Sequence, residues 1–256
     1  MGADDKMNAG EFRLIRYYIG TSGWHYDDWR GIFYPEKLPK ANWLEFYARH
    51  FATLELNSTF YRLPSEEAFR RWYDSSPPDF TFAVKVSRFI THIKRLKDCD
   101  EALSNFMSKV TLLRDKLGPL LYQLPPGLHR DDELLIQFLK KLPRGLKHAI
   151  EFRHQSWLEE DSFAILRKHH VGFCVFDMPK STSPLIATAD FAYIRFHGSD
   201  SLYSSCYSDE ELAEWATKIT HLAKNLESVY IYFNNDIAGY ALQNAATMRN
   251  YLEKGK

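Results

Sequence analysis

Side chains two residues apart on a β-strand point the same way. In this chain, short apolar or aromatic runs repeatedly end in charged or amide residues at or near that spacing: Glu55 and Asn57, Lys85 and Ser87, Gln123, Glu151 and Arg153, Asp177, Arg195 and His197, Asn234 and Asp236. These seven runs and an eighth over about Arg16–Thr21, separated mostly by helical patterns, constrain the fold more than any other property of the chain. They predict an α/β protein, a single TIM-like (β/α)8 barrel whose polar strand ends gather at one mouth. In that fold the C-terminal ends of the strands carry the chemistry.

The runs cover about Arg16–Thr21, Thr53–Asn57, Phe80–Val86, Pro119–Leu124, Lys147–Phe152, Gly172–Asp177, Phe191–His197 and Val229–Asn234. One helix is expected from near Asn42, an N-cap candidate. Another follows Pro64, capped by Ser65, with Glu66 and Glu67 in the first turn, where acids suit the helix dipole. Further helices are expected over about Asp100–Lys116, Asp131–Leu142, Glu159–His170, Ser208–Leu226 and Ala238–Glu253. Pro179 and Pro184 leave little room for a helix before strand seven, so the sixth unit is expected to be irregular and helix-poor. No low-complexity linker interrupts the pattern. Residues 12–256 read as one barrel domain, and residues 1–11 as a disordered polar leader or expression remnant outside it.

Lys plus Arg and Asp plus Glu each number 33, so the chain is neutral with His uncharged. That balance argues against binding an extended nucleic-acid duplex and makes any anion site local. Cys99, Cys174 and Cys206 form no zinc or redox motif, and this usage suits a reducing compartment. No apolar run is long enough for a membrane span, and the N-terminal residues lack an apolar signal core. The expectation is a cytoplasmic protein with no membrane partner.

Alternation sharpens the picture. Phe80, Phe82, Val84 and Val86 oppose Thr81, Ala83, Lys85 and Ser87; Ala192, Ile194 and Phe196 oppose Tyr193, Arg195 and His197; Leu54 and Leu56 oppose Glu55 and Asn57. With the apolar face against the helices, Glu55, Lys85, Gln123, Glu151, Arg195 and Tyr232 point into a barrel interior that branched apolar residues usually fill. Buried charges of this kind must pair or meet a ligand.

The strand ends form an ordered set of motifs: Gly20-Thr21-Ser22-Gly23-Trp24, Glu55-Leu56-Asn57-Ser58-Thr59-Phe60-Tyr61, Lys85 with Arg88 and Thr91-His92, Gln123-Leu124-Pro125-Pro126, Glu151-Phe152-Arg153-His154 with Trp157, Arg195-Phe196-His197-Gly198, and Asn234-Asn235-Asp236 with Gly239-Tyr240-Ala241. Together they resemble the YecE-like family, a domain-of-unknown-function family with a (β/α) barrel, from about Tyr18 to the C-terminal helix. The resemblance implies a single barrel with its site at these positions. It implies no particular activity.

Glu55, Glu151 and Asp177 supply negative charge, and Lys85, Arg153 and Arg195 supply positive charge. Such a set either neutralises itself and fixes the strand register, or places acid–base groups beside a substrate. Glu151 is the leading acid/base candidate, held by Arg153 and Arg195, with Glu55 second and His197 assisting. Lys85, Arg88, His92, Arg153 and Arg195 are the candidate anion ligands, since Arg forks match phosphate and carboxylate. Asn57, Gln123 and Asn234 are candidate polar contacts. Trp24 and Tyr61 are candidate stacking surfaces for a base or sugar, whereas Tyr26, Trp29, Phe60 and Trp157 read as loop packing. His197, Asp177, Glu151 and Asp236 form a rival metal-ligating set, but the interleaved cations would repel a dication, so neither metal nor other cofactor is expected.

The leading reading is an intracellular hydrolase that uses acid–base catalysis on a small anionic, phosphate-bearing substrate: a nucleotide, a nucleic-acid end or a sugar phosphate. The alternatives are a metal-assisted phosphodiesterase or sugar isomerase, and a non-catalytic ligand-binding barrel.

Overall fold

The computed structural model describes residues 15–254, and the leader expected over 1–11 lies outside the described residues. Along the chain run β1 (Arg16–Thr21), α1 (Trp43–Ala48), β2 (Thr53–Leu56), α2 (Ser58–Tyr61), α3 (Glu66–Asp74), β3 (Thr81–Lys85), α4 (Asp100–Val110), β4 (Leu117–Gln123), α5 (Asp132–Leu139), β5 (His148–Glu151), α6 (Glu160–Lys168), β6 (Gly172–Met178), β7 (Ser181–Thr182), β8 (Phe191–Phe196), α7 (Asp209–Ala223), β9 (Ser228–Phe233) and α8 (Tyr240–Lys254). All strands but β7 are parallel, in the order β1-β9-β8-β6-β5-β4-β3-β2. This is the expected TIM-like barrel. β7 forms a two-residue antiparallel hairpin with β6, and no helix separates it from β8, so the sixth unit is irregular as the two prolines require. Among the described residues no helix is long and apolar enough to cross a membrane.

The barrel closes between β1 and β2 by little more than one bridge, Ser22 to Glu55, with the Gly23 amide donating to the Glu55 carbonyl at 2.9 Å. A phenol replaces the missing ladder. The Thr21 amide donates to the Tyr47 hydroxyl at 3.0 Å, and that hydroxyl donates to the Thr53 carbonyl at 3.1 Å. Gly20 makes the seam possible, because a Cβ there would stand 2.4 Å from the Thr53 carbonyl oxygen. Tyr47→Phe leaves the buried Thr21 amide without its acceptor and is expected to cost about 1–3 kcal/mol in urea unfolding. Faster hydrogen exchange at Thr21 should accompany the loss. Unchanged exchange there would show that the seam does not depend on the phenol.

The helices start where the sequence indicates. Ser65 accepts from the Ala68 amide, Asp131 from the Leu134 amide, and Ser208 and Glu211 form a reciprocal capping box. Asn42 sits at the N-cap of α1 but its side chain makes no capping bond. The helix expected to reach Lys116 ends at Val110 and tightens into a 3-10 segment, with Arg114 at φ +49°. This tightening delivers the Lys116 ammonium to the Tyr73 and Ser76 carbonyls, each 2.6 Å away at the end of α3.

Two apolar clusters show which way each strand faces. The larger lies between barrel and helices and includes Leu54, Leu56, Phe82, Val84, Ile194 and Phe196. The smaller fills the lower barrel with Ala83, Leu121, Ala149, Cys174, Tyr193 and Tyr232. Tyr18 and Tyr230 stack at 4.7 Å alongside it. Above this plug the interior is ionic.

Candidate active site

Arg195 forms the centre of the ionic layer and is fully buried. Its guanidinium grips Glu55 with two hydrogen bonds, at 3.0 and 2.8 Å, and donates a third to Glu151 at 2.8 Å. Glu55 also accepts from Ser22 and from the Tyr193 hydroxyl. Glu151 accepts from Gln123 at 2.9 Å and pairs with Arg153. All four carboxylate oxygens are therefore occupied. Burial alone would push the Glu151 carboxyl up, but the charges of Arg153 and Arg195, with Lys85 behind them, outweigh it and hold the group well below the usual carboxylate range.

His197 Nε2 lies 3.1 Å from an Arg153 nitrogen and 3.5 Å from an Arg195 nitrogen, both of them donors. Nε2 accepts from them, and on the other side of the ring the Asn234 side-chain amide nitrogen lies 3.1 Å from Nδ1. Burial, reinforced by Arg195, pulls His197 well below the ordinary histidine value and keeps it neutral.

Lys85 differs from its neighbours. It is 6 % exposed, and among the described residues its ammonium has no hydrogen-bond or ion-pair partner. It stands over the Phe60 ring, 4.2 Å from the centroid. Desolvation, and then Arg195, lower its pKa to about 8. Glu55 and Glu151 are balanced by Arg195 and Arg153, and Lys85 leaves one positive charge in excess on the floor of the mouth.

That floor opens into a cavity of about 770 Å³. Of the residues expected to bind substrate, Lys85, Arg195, Asn57, Asn234, Trp24 and Tyr61 line it. Asn57 Oδ1 is buried with no donor among the described residues. Glu55, Glu151, Gln123, Arg153 and His197 form the network beside and beneath the floor. Arg88 is exposed and does not line the cavity, and neither does His92, which packs edge-on against Phe60.

Asp177 corrects the expected set of interior acids. It shares parity with Phe173 and Val175, so it faces away from the interior, where it accepts from Tyr207 at 2.8 Å and Thr182 at 2.6 Å. Among the described residues no three His, Cys, Asp or Glu side chains converge as a metal-ligand set. Trp29 and Trp157 pack loops as expected, donating to the Asp236 and Leu128 carbonyls. Tyr26, read as packing, also lines the cavity.

The sequence reading missed Trp72, which stands edge-on to Trp24 at 5.6 Å, and it undervalued Asp236. Burial raises the Asp236 carboxyl to about 6. Its place just beyond strand β9, in the Asn234-Asn235-Asp236 motif, was the available signal.

The family profile described as "Protein of unknown function DUF72" matches residues 18–256. A crystal structure of a DUF72 family protein from Thermotoga maritima MSB8 superposes with a TM-score of 0.85 at 34% identity, covering 93% of this chain and 99% of that one. The UPF0759 protein YunF of Bacillus subtilis (strain 168) is 25% identical across 92% of this chain and 94% of its own length. The UPF0759 protein YecE of Escherichia coli (strain K12) is 33% identical over a segment spanning 54% of this chain and 48% of YecE.

Proposed function

The chain belongs to the DUF72 family, and from that premise and the chemistry of the mouth we propose a hydrolase acting by acid–base catalysis on an anionic, phosphate-bearing substrate. One observation carries the reading: a buried lysine with no counter-ion opens onto a cavity large enough for a small ligand. An anion bound there supplies the missing charge and lifts the desolvation penalty on Lys85. The unpaired Asn57 carbonyl asks for a donor, such as a substrate hydroxyl. Trp24, Tyr61 and Trp72 offer faces to a sugar or base.

Proton transfer is assigned to Asp236 and Lys85 rather than to Glu151, Glu55 and His197. The latter three have their polar atoms committed to the two arginines and to Ser22, Tyr193, Gln123 and Asn234, and they hold the floor in register. Asp236 and Lys85 are shifted from opposite directions into the neutral range, to about 6 and about 8. Near pH 7 the first is mostly ionised and can act as base, and the second is mostly protonated and holds the anion.

The test is a panel of nucleotides, nucleic-acid ends and sugar phosphates, with and without divalent metal. For any substrate turned over, kcat/KM should rise as Asp236 ionises near pH 6 and fall as Lys85 deprotonates near pH 8. Asp236→Asn should remove the acid limb and at least about 100-fold of the rate. A flat profile across that range, or full activity in Asp236→Asn, would overturn the assignment. Binding without turnover would favour the ligand-binding barrel.

A further inference from the structure

We propose that Lys85 is a carbonyl-reactive amine, forming an imine with a small anionic aldehyde or ketone brought into the barrel mouth. This goes beyond hydrolysis but rests on reading the cavity as an anion site, because the anion carries the carbonyl in.

Lys85 ends β3 at the catalytic face of the barrel. It lines the cavity, and no oxygen of Glu55 or Glu151 is left to hold its ammonium: Glu55 is occupied by Arg195, Ser22 and Tyr193, and Glu151 by Arg195, Arg153 and Gln123. The ammonium nitrogen stands over the Phe60 ring, 4.2 Å from its centroid. A lysine desolvated in this way and crowded by guanidinium charge is activated as a nucleophile. The charged groups that act on it are Glu55, Glu151, Arg153 and Arg195, with His92 and His197 also within electrostatic reach. Their combined effect lowers its pKa to about 8, so a usable fraction is neutral near physiological pH.

The step balances without any redox partner. The neutral Nζ lone pair adds to the carbonyl carbon, the carbonyl π pair moves to oxygen, and one of the two Nζ protons passes to that oxygen, giving a neutral carbinolamine. Its remaining N–H proton goes to the departing hydroxyl as the C–O bond breaks, so one water leaves as the neutral C=N forms. Protonation of the imine restores the positive charge at this position, where the ligand's own anionic group can balance it.

The experiment uses the full chain with pyridoxal 5′-phosphate below stoichiometric ratio, trapping with borohydride and mapping the adduct by peptide mass spectrometry. Lys85 should be the dominant site, with labelling that rises with pH through about 8 and is suppressed by inorganic phosphate. Lys85→Arg should keep phosphate binding within about tenfold, because it keeps the cation, and lose this adduct entirely. Adducts spread over surface lysines with Lys85 unmodified would overturn the proposal. Calorimetry with inorganic phosphate separates the two readings. Phosphate binding without a Lys85 adduct rejects the imine and leaves the anion site standing, and loss of both rejects both.

Discussion

Arg195→Met is expected to lower the unfolding free energy by about 3–5 kcal/mol at neutral pH, the typical result of removing one partner from a buried ion network. Among the described residues Arg195 alone ties Glu55 on β2 to Glu151 on β5, and all three side chains are buried. Methionine matches much of its volume, so the loss comes from stranded carboxylates rather than from a void.

The pH dependence tests that cause. The Glu151 carboxyl is held below its usual value of 4.5 in the folded protein. A depressed carboxylate stabilises the fold fully above its unfolded value, and the contribution disappears as pH falls through the folded one. Removing Arg195 weakens that depression, so the gap between variant and wild type should narrow on acidification below about pH 4.5. Urea titrations at neutral and acidic pH measure both quantities. A variant within about 1 kcal/mol of wild type at pH 7 would show that an apolar replacement suffices and that the network is not required for stability.

Lys85→Met should have the opposite effect on stability and a larger effect on binding. Its side chain is buried and its ammonium, which reaches the cavity, has no ion-pair partner among the described residues, so the folded protein bears a desolvation cost that methionine removes. Stability at pH 7 should stay level or rise, by about 1–3 kcal/mol at most. A lysine whose folded pKa is lowered penalises the fold fully below that value, about 8, and the penalty fades as pH climbs toward the unfolded value of 10.5. The advantage of Lys85→Met should therefore shrink over that interval. Binding of inorganic phosphate, followed by calorimetry, should weaken about 100-fold or more, since a desolvated charge contact is lost. Undiminished phosphate binding in a folded Lys85→Met protein would remove the central support for the anion site. The contrast between the two variants is the signature of a site: one buried cation holds the barrel together, and the other is maintained at the expense of stability.

Much of this was legible locally. Period-two alternation placed Glu55, Lys85, Gln123, Glu151 and Arg195 inside the barrel before any coordinates, because side-chain direction on a strand depends only on parity. The same rule, followed strictly through Phe173 and Val175, would have put Asp177 outside as well. The caps at Ser65, Asp131 and Ser208 were equally local, each a hydrogen bond across three residues. Trp72 and Asp236 were harder to read. One sits on a helix whose approach to Trp24 depends on how α3 packs, and the other owes its raised pKa to burial by a loop that starts far away in the chain.

By itself the sequence determined the barrel, the end that bears the chemistry, and the ionic character of that end, since all three follow from short-range periodicity and strand order. Only the tertiary structure decided how the charges pair. Arg195 meets Glu55 across 140 residues of chain, and closure of the barrel, not spacing, brings their atoms within 3 Å. Hydrogen bonds weaken steeply with distance and angle. Small differences in direction around the barrel therefore gave every oxygen of Glu55 and Glu151 to other donors and left Lys85 lining the cavity.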